Sequence, residues 1–466
     1  MVKTRTAAHP AAKPPGARAL ALEVLAASRR RGASVEELMH RALRRHPSLP
    51  RRERALVLEL VQGVKRWEIR LDWSLAQVSR LPLPKLHPLV LNILRLAAFQ
   101  VLFLDRVPAR AAVHEAGNLA RAHHLPEAHV AFINGVLRRL AAGDLPPLPD
   151  PGTDPVTALS VAHAHPTWLV KRWLARLGYE VIQARLAANN QMPPLTIRVN
   201  TLQSDREALQ ACLAQEGAEA RPCRFSPVGL ELVAVPGAPL DLPSYREGRW
   251  LFQDEAAQLV TLLLPLKPGA RVLELGAGRG GKTTHLAELL GDRGLIAAVD
   301  YHRRRLLELK ANLKRWGVAA AHPLRADAAG GLPVKAGAAH SVLVDAPCSA
   351  LGILRRHPEI KTRLTESDLA TFPRRQKAML AAAARALAPG GCLLYVTCTT
   401  EPEENEEVVE SFLVRHRDFR LATDPALLPP PAREFVQAHG YFRTSPEEHN
   451  LDAFFAAVLT RKGEGN

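Results

Sequence analysis

Cysteine is scarce in this sequence, which has five in 466 residues. The number is odd and the spacing is wide, so the sequence does not predict a disulfide-stabilised scaffold. No Cys-x-x-Cys pair occurs, and we therefore expect no zinc site and no bound metal. The cysteines are Cys212, Cys223, Cys348, Cys392 and Cys398.

Long apolar runs are also missing. No stretch of 18 consecutive apolar residues occurs, so we expect no membrane span and a cytoplasmic protein. Hydrophobic residues still make up 47% of the chain, which is enough for several cores. The length predicts about two to four domains.

Acidic residues are in the minority. The chain has 46 Asp and Glu against 62 Lys and Arg, a net charge of +16. Residues 1–150 carry 24 Lys and Arg and only 12 Asp and Glu, so most of the excess lies in the first third. A chain this basic is typical of proteins that bind nucleic acid. The alternative is a general bias toward arginine.

The N-terminal third is predicted to be helical after a short tail. Residues 1–16 are basic, free of acids and rich in Pro and Ala, which predicts a disordered basic tail, with a transit peptide as the alternative. Residues 17–142 show helical spacing, and 88–104 are apolar almost all round, as in a central buried helix. Arginines near helix ends are predicted to contact phosphates, rather than only to form a solvated face. They are Arg29, Arg30, Arg31, Arg44, Arg45, Arg51, Arg52 and Arg54.

Two further domains are predicted. Residues 143–155 form a proline-rich linker. Residues 156–253, with a helical stretch over 158–190 followed by short strands and a helix, predict a small α+β module. Residues 254–462 alternate strands and helices, which predicts a doubly wound α/β sheet. Its strands are expected at 272–275, 295–299, 321–325, 342–344, 392–396 and 454–459.

A glycine turn follows the first of these strands. The segment Val272–Lys282 reads Val-Leu-Glu-Leu-Gly-Ala-Gly-Arg-Gly-Gly-Lys, and a helix is expected from Thr283. A strand, a glycine turn and a helix start form a nucleotide-binding corner, because the backbone must approach the ligand closely. The spacing Gly276-x-x-x-x-Gly281-Lys282-Thr283 also matches a phosphate-binding P-loop, so a nucleotide triphosphatase is the rival.

Chemically distinctive residues stand at the ends of the next strands. Asp300 suits the hydroxyls of a ribose, and Asp327 suits an adenine amine. Asp345 and Cys348 follow the fourth strand, and Cys398 follows the fifth. A P-loop enzyme gives no account of the two cysteines. S-adenosylmethionine, which has no phosphate, suits a glycine turn with a ribose-binding acid.

Two cysteines at neighbouring strand ends suggest cytosine chemistry. Carbon 5 of cytosine is a poor nucleophile until a thiolate adds to carbon 6. The adduct can then take a methyl group, and a base must remove the carbon 5 proton before the enzyme is released. Spacing alone does not decide whether Cys348 or Cys398 attacks. Cys392, Cys212 and Cys223 are interpreted as structural.

The sequence resembles two families. Val107–Ala116 and Phe132–Leu140 resemble the NusB-type RNA-binding domain. Asp345-Ala-Pro-Cys348-Ser, Thr397-Cys398 and the following Pro402–Glu406 resemble the RNA cytosine-5 methyltransferases of the Nol1/Nop2/Sun group. Further matches are Arg198–Asn200, Gln253–Ala257, Arg355–Lys361 and His449–Phe455. Over residues 17–460 the chain resembles the bacterial NusB-linked branch, the Sun/Fmu type, whose members methylate a cytidine in 16S ribosomal RNA.

The resemblance implies a role for each matching residue. Cys398 would be the nucleophile, Cys348 would assist proton removal and release of the adduct, and Asp345 would contact the target base near the cofactor. S-adenosylmethionine would be bound by Gly276, Ala277, Gly278, Arg279, Gly280, Gly281, Lys282, Asp300, Asp327 and Asp345.

Two positions depart from the family pattern. Arg279 stands where the turn Ala-x-Pro-Gly-Gly-Lys has proline, and Ala453 stands where glycine is usual. The first change leaves open what position 279 contacts.

The sequence thus predicts a multi-domain protein. It has an all-α NusB-like bundle (17–142), a small α+β RNA-binding module (156–253) and a Rossmann-like S-adenosylmethionine methyltransferase domain (254–462). The expected activity is methylation of carbon 5 of a cytidine in 16S ribosomal RNA or a small-subunit precursor, with no partner protein. The alternatives are the same chemistry on transfer RNA, and a non-catalytic RNA-binding assembly factor.

Overall fold

The computed structural model describes residues 15–28, 34–422 and 430–463. The described residues form two compact units, one up to Leu186 together with His357–Thr362, and the other from Ala187 onward without that segment. Most of the predicted basic tail, and Arg29, Arg30 and Arg31, lie outside the described residues.

The first unit is helical, as predicted for residues 17–142. Its helices are α1 (Ala17–Ser28), α2 (Val35–Arg45), α3 (Arg51–Val78), α4 (Pro88–Phe103), α5 (Ala109–Ala122), α6 (Glu127–Ala142), α7 (Pro155–His163) and α8 (Thr167–Leu177). The core is built from the apolar faces of α1 to α6. Helix α4 contributes buried residues on every side, from Val90 to Gln100, so the prediction of a central buried helix is confirmed.

Local sequence explains several helix ends. Ser34 accepts a hydrogen bond from the Glu37 amide and so caps α2. Arg54 donates to the carbonyls of Leu43 and His46 at the other end of α2. Arg54 therefore has a structural role there, in addition to any contact with phosphate.

The helical stretch predicted over 158–190 is divided into three. Helix α7 ends where Ala164 takes a φ of +53°, and Pro166 then precedes α8. Gly178 ends α8, and α9 (Tyr179–Ala188) follows. Proline and glycine separate these helices, because either residue inside a helix costs free energy.

The second unit contains a small antiparallel sheet. Its strands are β1 (Thr196–Val199), β2 (Glu219–Pro222), β3 (Gly229–Ala234) and β4 (Trp250–Phe252), in the order β2-β3-β1-β4. Helices α10 (Arg206–Gln215) and α11 (Pro243–Arg246) accompany it. The predicted α+β character is confirmed, and β2 is an addition to the prediction.

The second unit also contains an eight-stranded sheet. Its strands are β5 (Arg271–Leu275), β6 (Leu295–Asp300), β7 (Ala321–Arg325), β8 (Ala339–Asp345), β9 (Leu387–Thr397), β10 (Phe419–Leu421), β11 (Tyr441–Arg443) and β12 (Phe455–Arg461). The order is β10-β12-β9-β8-β5-β6-β7, and β11 pairs with β12 beside this path. All six predicted strands are present, whereas β10 and β11 were not predicted.

The sheet is mixed, and its direction of winding changes at one place. Strands β5 to β9 are parallel, while β12 runs antiparallel to β9. The chain winds outward from β5 through β6 to β7, and then returns to β8 on the other side of β5. Ligands bind at such a switch point, beyond the carboxyl ends of the strands.

Helices cover both faces of this sheet. They are α12 (Glu255–Leu262), α13 (Gly281–Leu289), α14 (Arg303–Trp316), α16 (Phe372–Ala386), α17 (Glu406–Arg415), α18 (Pro430–Arg433) and α19 (Pro446–His449). The short helix α15 (Ile360–Arg363) lies mostly in the segment that belongs to the first unit. Along β5, Val272 joins one apolar core and Leu273 the other, as alternation in a strand requires. Within the described parts of the chain, no helix is both long and apolar enough to span a bilayer.

Candidate active site

The glycine turn between β5 and α13 is held in a conformation that needs glycine. Gly276, Gly278 and Gly280 have φ of +89°, +57° and +92°, a region that side chains disfavour. A Cβ on Gly276 would lie 2.2 Å from the carbonyl oxygen of Asp345. Helix α13 begins at Gly281, two residues before the predicted start.

Asp300 lies at the end of β6 and is bonded to this turn. Its Oδ2 accepts from the Gly278 amide at 3.0 Å, and its Oδ1 accepts from the His302 amide at 2.7 Å. Each carboxylate oxygen has a further lone pair. Asp300 therefore fixes the turn and can still accept a hydroxyl.

Lys282 and Thr283 do not have the surroundings that a P-loop requires. Lys282 Nζ is 2.7 Å from Asp345 Oδ2, and the Thr283 hydroxyl donates to Glu274 Oε2 at 2.5 Å. In a P-loop these two side chains would face phosphate and magnesium. Burial disfavours the charge on Lys282, but the carboxylate of Asp345 outweighs it and raises the pKa of the ammonium.

Glu274 is a site residue that the sequence analysis missed. It lies in β5, and its Oε1 is buried with no hydrogen-bond partner among the described residues. Burial raises its pKa to about 7, against a hydrogen bond from Thr283 and with a smaller contribution from the charge of Asp345. The signal was visible in the sequence, because a glutamate between two leucines of a buried strand is rare unless it has a function.

The chemistry around the turn fits S-adenosylmethionine. Glu274, Asp300 and Asp345 place acidic side chains around it. A triphosphate would be repelled by this charge, whereas a ligand with a sulfonium and an ammonium group is favoured. Gly278 leaves open space where a side chain would stand. The glycine turn therefore suits a cofactor without phosphate.

Two of the predicted cofactor residues are bonded to other parts of the chain. Asp327 Oδ1 accepts from the Ala329 amide at 3.1 Å and from Arg375 at 2.9 Å, as a turn residue would. Arg279 Nε lies 2.8 Å from Glu308 on α14. The arginine at the position of the usual proline thus connects the turn to α14.

The two cysteines predicted at neighbouring strand ends are in contact. Cys348 Sγ lies 3.4 Å from Cys398 Sγ. Its hydrogen bond with Cys398, together with burial, raises the pKa of Cys348 well above its usual range. Either sulfur can be the donor in this contact. A thiolate at Cys398 would add to the causes that raise the pKa of Lys282.

The remaining cysteines are not brought to this pair. Cys392 is buried within β9, where burial raises its pKa to about 12. Cys212 and Cys223 belong to the small-sheet part of the unit. Among the described residues, no group of histidine, cysteine and acidic side chains could hold a metal ion.

A buried ionic cluster supports the loop beside the cysteines. Asp452 accepts from Arg355 Nε and from Arg356 Nε, each at 2.6 Å. Arg356 also donates to Asp254 at 2.6 Å. Burial and the nearby charge of Asp452 raise the pKa of Asp254 to about 6. The motifs Gln253–Ala257, Arg355–Lys361 and His449–Phe455 each contribute to this cluster. The ion pairs explain why these motifs carry charged residues at those positions.

The carbonyl of Cys398 is held by this loop. The Gly352 amide donates to it at 2.9 Å, and the Ala453 amide donates to the Gly352 carbonyl at 2.9 Å. A Cβ on Gly352 would lie 2.1 Å from the carbonyl oxygen of Ala453. Alanine is accommodated at position 453, where glycine is usual.

Comparison with known proteins agrees with this architecture. Residues 15–142 match the NusB family, 165–236 match the ferredoxin-like domain of RsmF/B-like methyltransferases, and 261–460 match the family described as 16S rRNA methyltransferase RsmB/F. The predicted fold class and the cofactor S-adenosylmethionine are thereby confirmed.

Relatives match over nearly the whole chain. The probable ribosomal RNA small subunit methyltransferase B of a Synechocystis species is 34% identical over 450 residues, 96% of this chain and 99% of its own. The ribosomal RNA small subunit methyltransferase B of Pseudomonas putida is 37% identical over 398 residues, 84% of this chain and 88% of its own.

Solved structures share the fold of this chain. One crystal structure, 27% identical, covers 98% of this chain and 100% of its own with a TM-score of 0.80. A methyltransferase homologue from Pyrococcus horikoshii, 26% identical, covers 66% and 99% with a TM-score of 0.55. Three domains of the chain match family models, and relatives match over most of its length. This chain therefore belongs to the S-adenosylmethionine-dependent ribosomal RNA small subunit methyltransferase B family.

Proposed function

We propose that this protein methylates carbon 5 of a cytidine in small-subunit ribosomal RNA through a covalent cysteine adduct. The observation that carries the proposal is the Cys348–Cys398 contact of 3.4 Å, beside a turn suited to S-adenosylmethionine. The substrate class is supported by relatives named as ribosomal RNA small subunit methyltransferases B, which match over 96% and 84% of this chain.

The glycine turn and the acids around it are proposed to hold the cofactor. Residues Gly276–Lys282 would line it, Asp300 would accept from its ribose and Glu274 would face its positive charge. When bound, S-adenosylmethionine supplies an electrophilic methyl group. Asp327 is retained as an adenine contact, although its present bonds also suit a turn residue.

Cys398 is proposed to attack carbon 6 of the cytosine as a thiolate. A carbon–sulfur bond forms, and the electron pair of the carbon 5–carbon 6 double bond becomes available at carbon 5. The choice of Cys398 over Cys348 follows from family resemblance. As a thiolate, Cys398 would be a strong nucleophile.

Cys348 is proposed to act at the release step. After methylation, loss of the carbon 5 proton restores the double bond and expels Cys398 as a thiolate. Cys348, whose sulfur lies 3.4 Å from that of Cys398, is proposed to accept this proton as a thiolate, and the thiol that results can donate a hydrogen bond to the departing sulfur. Asp345 is proposed to contact the base, with its charge held in place by Lys282.

The RNA is proposed to contact the helical bundle and the small antiparallel sheet. The excess of positive charge in residues 1–150 supports attraction to phosphates. The target cytidine should be unpaired or flipped out, because carbon 6 is inaccessible in a stacked base.

The test is adduct trapping on denaturing gels. Cys348→Ala and Cys398→Ala proteins are each incubated with small-subunit RNA and S-adenosylmethionine, with transfer RNA as the competing substrate. We expect a trapped protein–RNA band for Cys348→Ala and no band for Cys398→Ala. The wild type should transfer methyl groups, and mass spectrometry should find 5-methylcytidine.

Other outcomes separate the alternatives. A band only with Cys398→Ala would exchange the two cysteine roles. Methylation of transfer RNA alone would replace the substrate. If neither variant traps RNA and the wild type transfers no methyl group to any RNA, the protein is a non-catalytic assembly factor.

A further inference from the structure

The loops that carry the two cysteines run side by side beyond the sheet. The Ala346 amide, just after β8, donates to the Val396 carbonyl of β9 at 2.9 Å. Further along, the hydroxyls of Ser349 and Thr399 are 2.7 Å apart. Ser349 follows Cys348 and Thr399 follows Cys398, so the sulfur pair and the hydroxyl pair are consecutive contacts between the same loops.

Glu404 binds both members of the hydroxyl pair. It ends the short 3₁₀ turn Pro402–Glu404 and is completely buried. Its Oε2 accepts from the Ser349 amide at 2.9 Å, and its Oε1 accepts from the Thr399 hydroxyl at 3.3 Å. One carboxylate therefore holds the residue after each cysteine.

Gln376 connects the carboxylate of Glu404 to the residue that precedes Cys348 in the chain. Gln376, on α16, donates to Glu404 Oε2 and to the Pro347 carbonyl, both at 3.0 Å. Pro347 precedes Cys348, so the cysteine is held from the residue before it and from the residue after it. Gln376 is itself completely buried.

Glu404 also acts on the cysteines through its charge. Burial raises its own pKa, while hydrogen bonds from Ser349, Gln376 and Thr399 favour its ionised form. Its carboxylate adds to the causes that raise the pKa of Cys348. The group that sets the geometry of the sulfur pair thus also favours the proton on Cys348.

We propose that Glu404 is a positioning residue that sets the spacing between Cys348 and Cys398 and is needed for release of the RNA adduct. The proposal rests on the proposed function above. Glu404 does not touch the reacting atoms, and it acts through Ser349, Thr399 and Gln376. Its loss should therefore impair the step that needs both sulfurs more than the step that needs Cys398 alone.

The experiment measures turnover and adduct together in Glu404→Gln. The amide keeps the size of the side chain but removes the charge, and one of its two ends can no longer accept. We expect kcat to fall about ten- to hundredfold, the range in which small displacements of catalytic groups act. KM for S-adenosylmethionine should change less than about twofold. A trapped RNA adduct should accumulate although both cysteines are present.

Glu255→Gln is the matched control. Glu255 is also a buried glutamate of the second unit, and its Oε1 accepts from the Phe225 and Ser226 amides at 2.5 and 2.6 Å. Within the described part of the chain, its hydrogen bonds do not reach the cysteine loops. A general loss of stability would appear in both variants, whereas adduct accumulation should appear only in Glu404→Gln.

Thr399→Val supplies a milder change that removes only the hydroxyl. It should also accumulate adduct, and combining it with Glu404→Gln should give less than the sum of the two effects. The proposal is overturned if both variants turn over like wild type, or if both slow the reaction without trapping RNA. Absence of a trapped band for both Cys348→Ala and Cys398→Ala, with no methyl transfer by the wild type, would instead overturn the proposed function.

Discussion

Lys282 and Asp345 join the glycine turn to the end of β8 through a 2.7 Å ion pair. The lysine side chain is 11% exposed and the aspartate 32%. The pair connects one residue of the glycine turn with one residue at the start of the cysteine loop, and each charge neutralises the other. Lys282 Nζ also lies 5.5 Å from the centre of the Phe454 ring.

Lys282→Met should separate the two candidate roles of this lysine. The change keeps the apolar stem but leaves Asp345 without its counter-ion. We expect turnover to fall at least about tenfold and stability to fall by about 1–3 kcal/mol, less than for a fully buried pair. Turnover assays and urea unfolding measure these, with exposed Lys310→Met as control. ATP binding by wild type that disappears in Lys282→Met would revive the P-loop interpretation.

Gly276→Ala and Gly278→Ala should differ strongly. A Cβ at 276 meets the Asp345 carbonyl oxygen at 2.2 Å, whereas at 278 the nearest atom is 3.9 Å away. Both positions have positive φ, which costs alanine about 1–2 kcal/mol. We expect Gly276→Ala to be the more destabilised and to bind S-adenosylmethionine at least about tenfold more weakly, by calorimetry. Equal effects on stability would contradict a close approach at Gly276.

Glu274→Gln should change how stability depends on pH. The carboxyl has an ordinary pKa of 4.5 and one of about 7 in the folded protein, so the folded state holds the proton more tightly. Its contribution to stability is therefore present below about pH 4.5 and is lost as pH rises to about 7. Relative to wild type, Glu274→Gln should gain stability over this range.

Thermal melts between pH 5 and pH 8 measure the Glu274 effect. Exposed Glu434→Gln is the control and should follow wild type throughout. S-adenosylmethionine affinity should fall in Glu274→Gln, because a negative charge near the cofactor is lost. A constant difference in melting temperature at every pH would refute the assignment.

Arg198 and Glu288 should be strongly coupled. Arg198, on β1, donates to Glu288 Oε1 on α13 at 2.7 Å, and the side chains are 0% and 2% exposed. Removing one partner leaves a buried charge, which costs about 3–5 kcal/mol. A double-mutant cycle in denaturant, with Arg198→Met and Glu288→Gln, should therefore show large coupling. The exposed Arg221–Glu231 pair should show less than about 1 kcal/mol.

The sequence predicted the elements with strong periodicity and missed those without it. Five of the six predicted strands are mostly buried, whereas Glu219–Pro222 is largely exposed and carries no such pattern. Phe419–Leu421 and Tyr441–Arg443 have three residues each, too few to show alternation. The placement of β12 between β9 and β10 depends on tertiary pairing, which periodicity does not encode.

The candidate site was predicted where chemistry was visible in the residue type. Cysteines and aspartates after strands could be expected to meet at one edge of a parallel sheet. Glu274 lay inside a strand, and Glu404 lay within a motif with no role attached to it. The contacts of Glu404 join residues up to 55 positions apart, and such contacts become evident only in the folded chain.

The contact between Cys348 and Cys398 depends on loop length as much as on residue type. Within the sheet, Val344 of β8 pairs with Tyr395 of β9, and the two sulfurs face each other after four residues on one side and three on the other. An insertion or deletion in either loop would move one cysteine away from the other, and no single substitution would restore the contact between the two sulfurs. We therefore expect the two loops to tolerate changes of residue more readily than changes of length. A graft of this site into another scaffold would have to transfer both loops together.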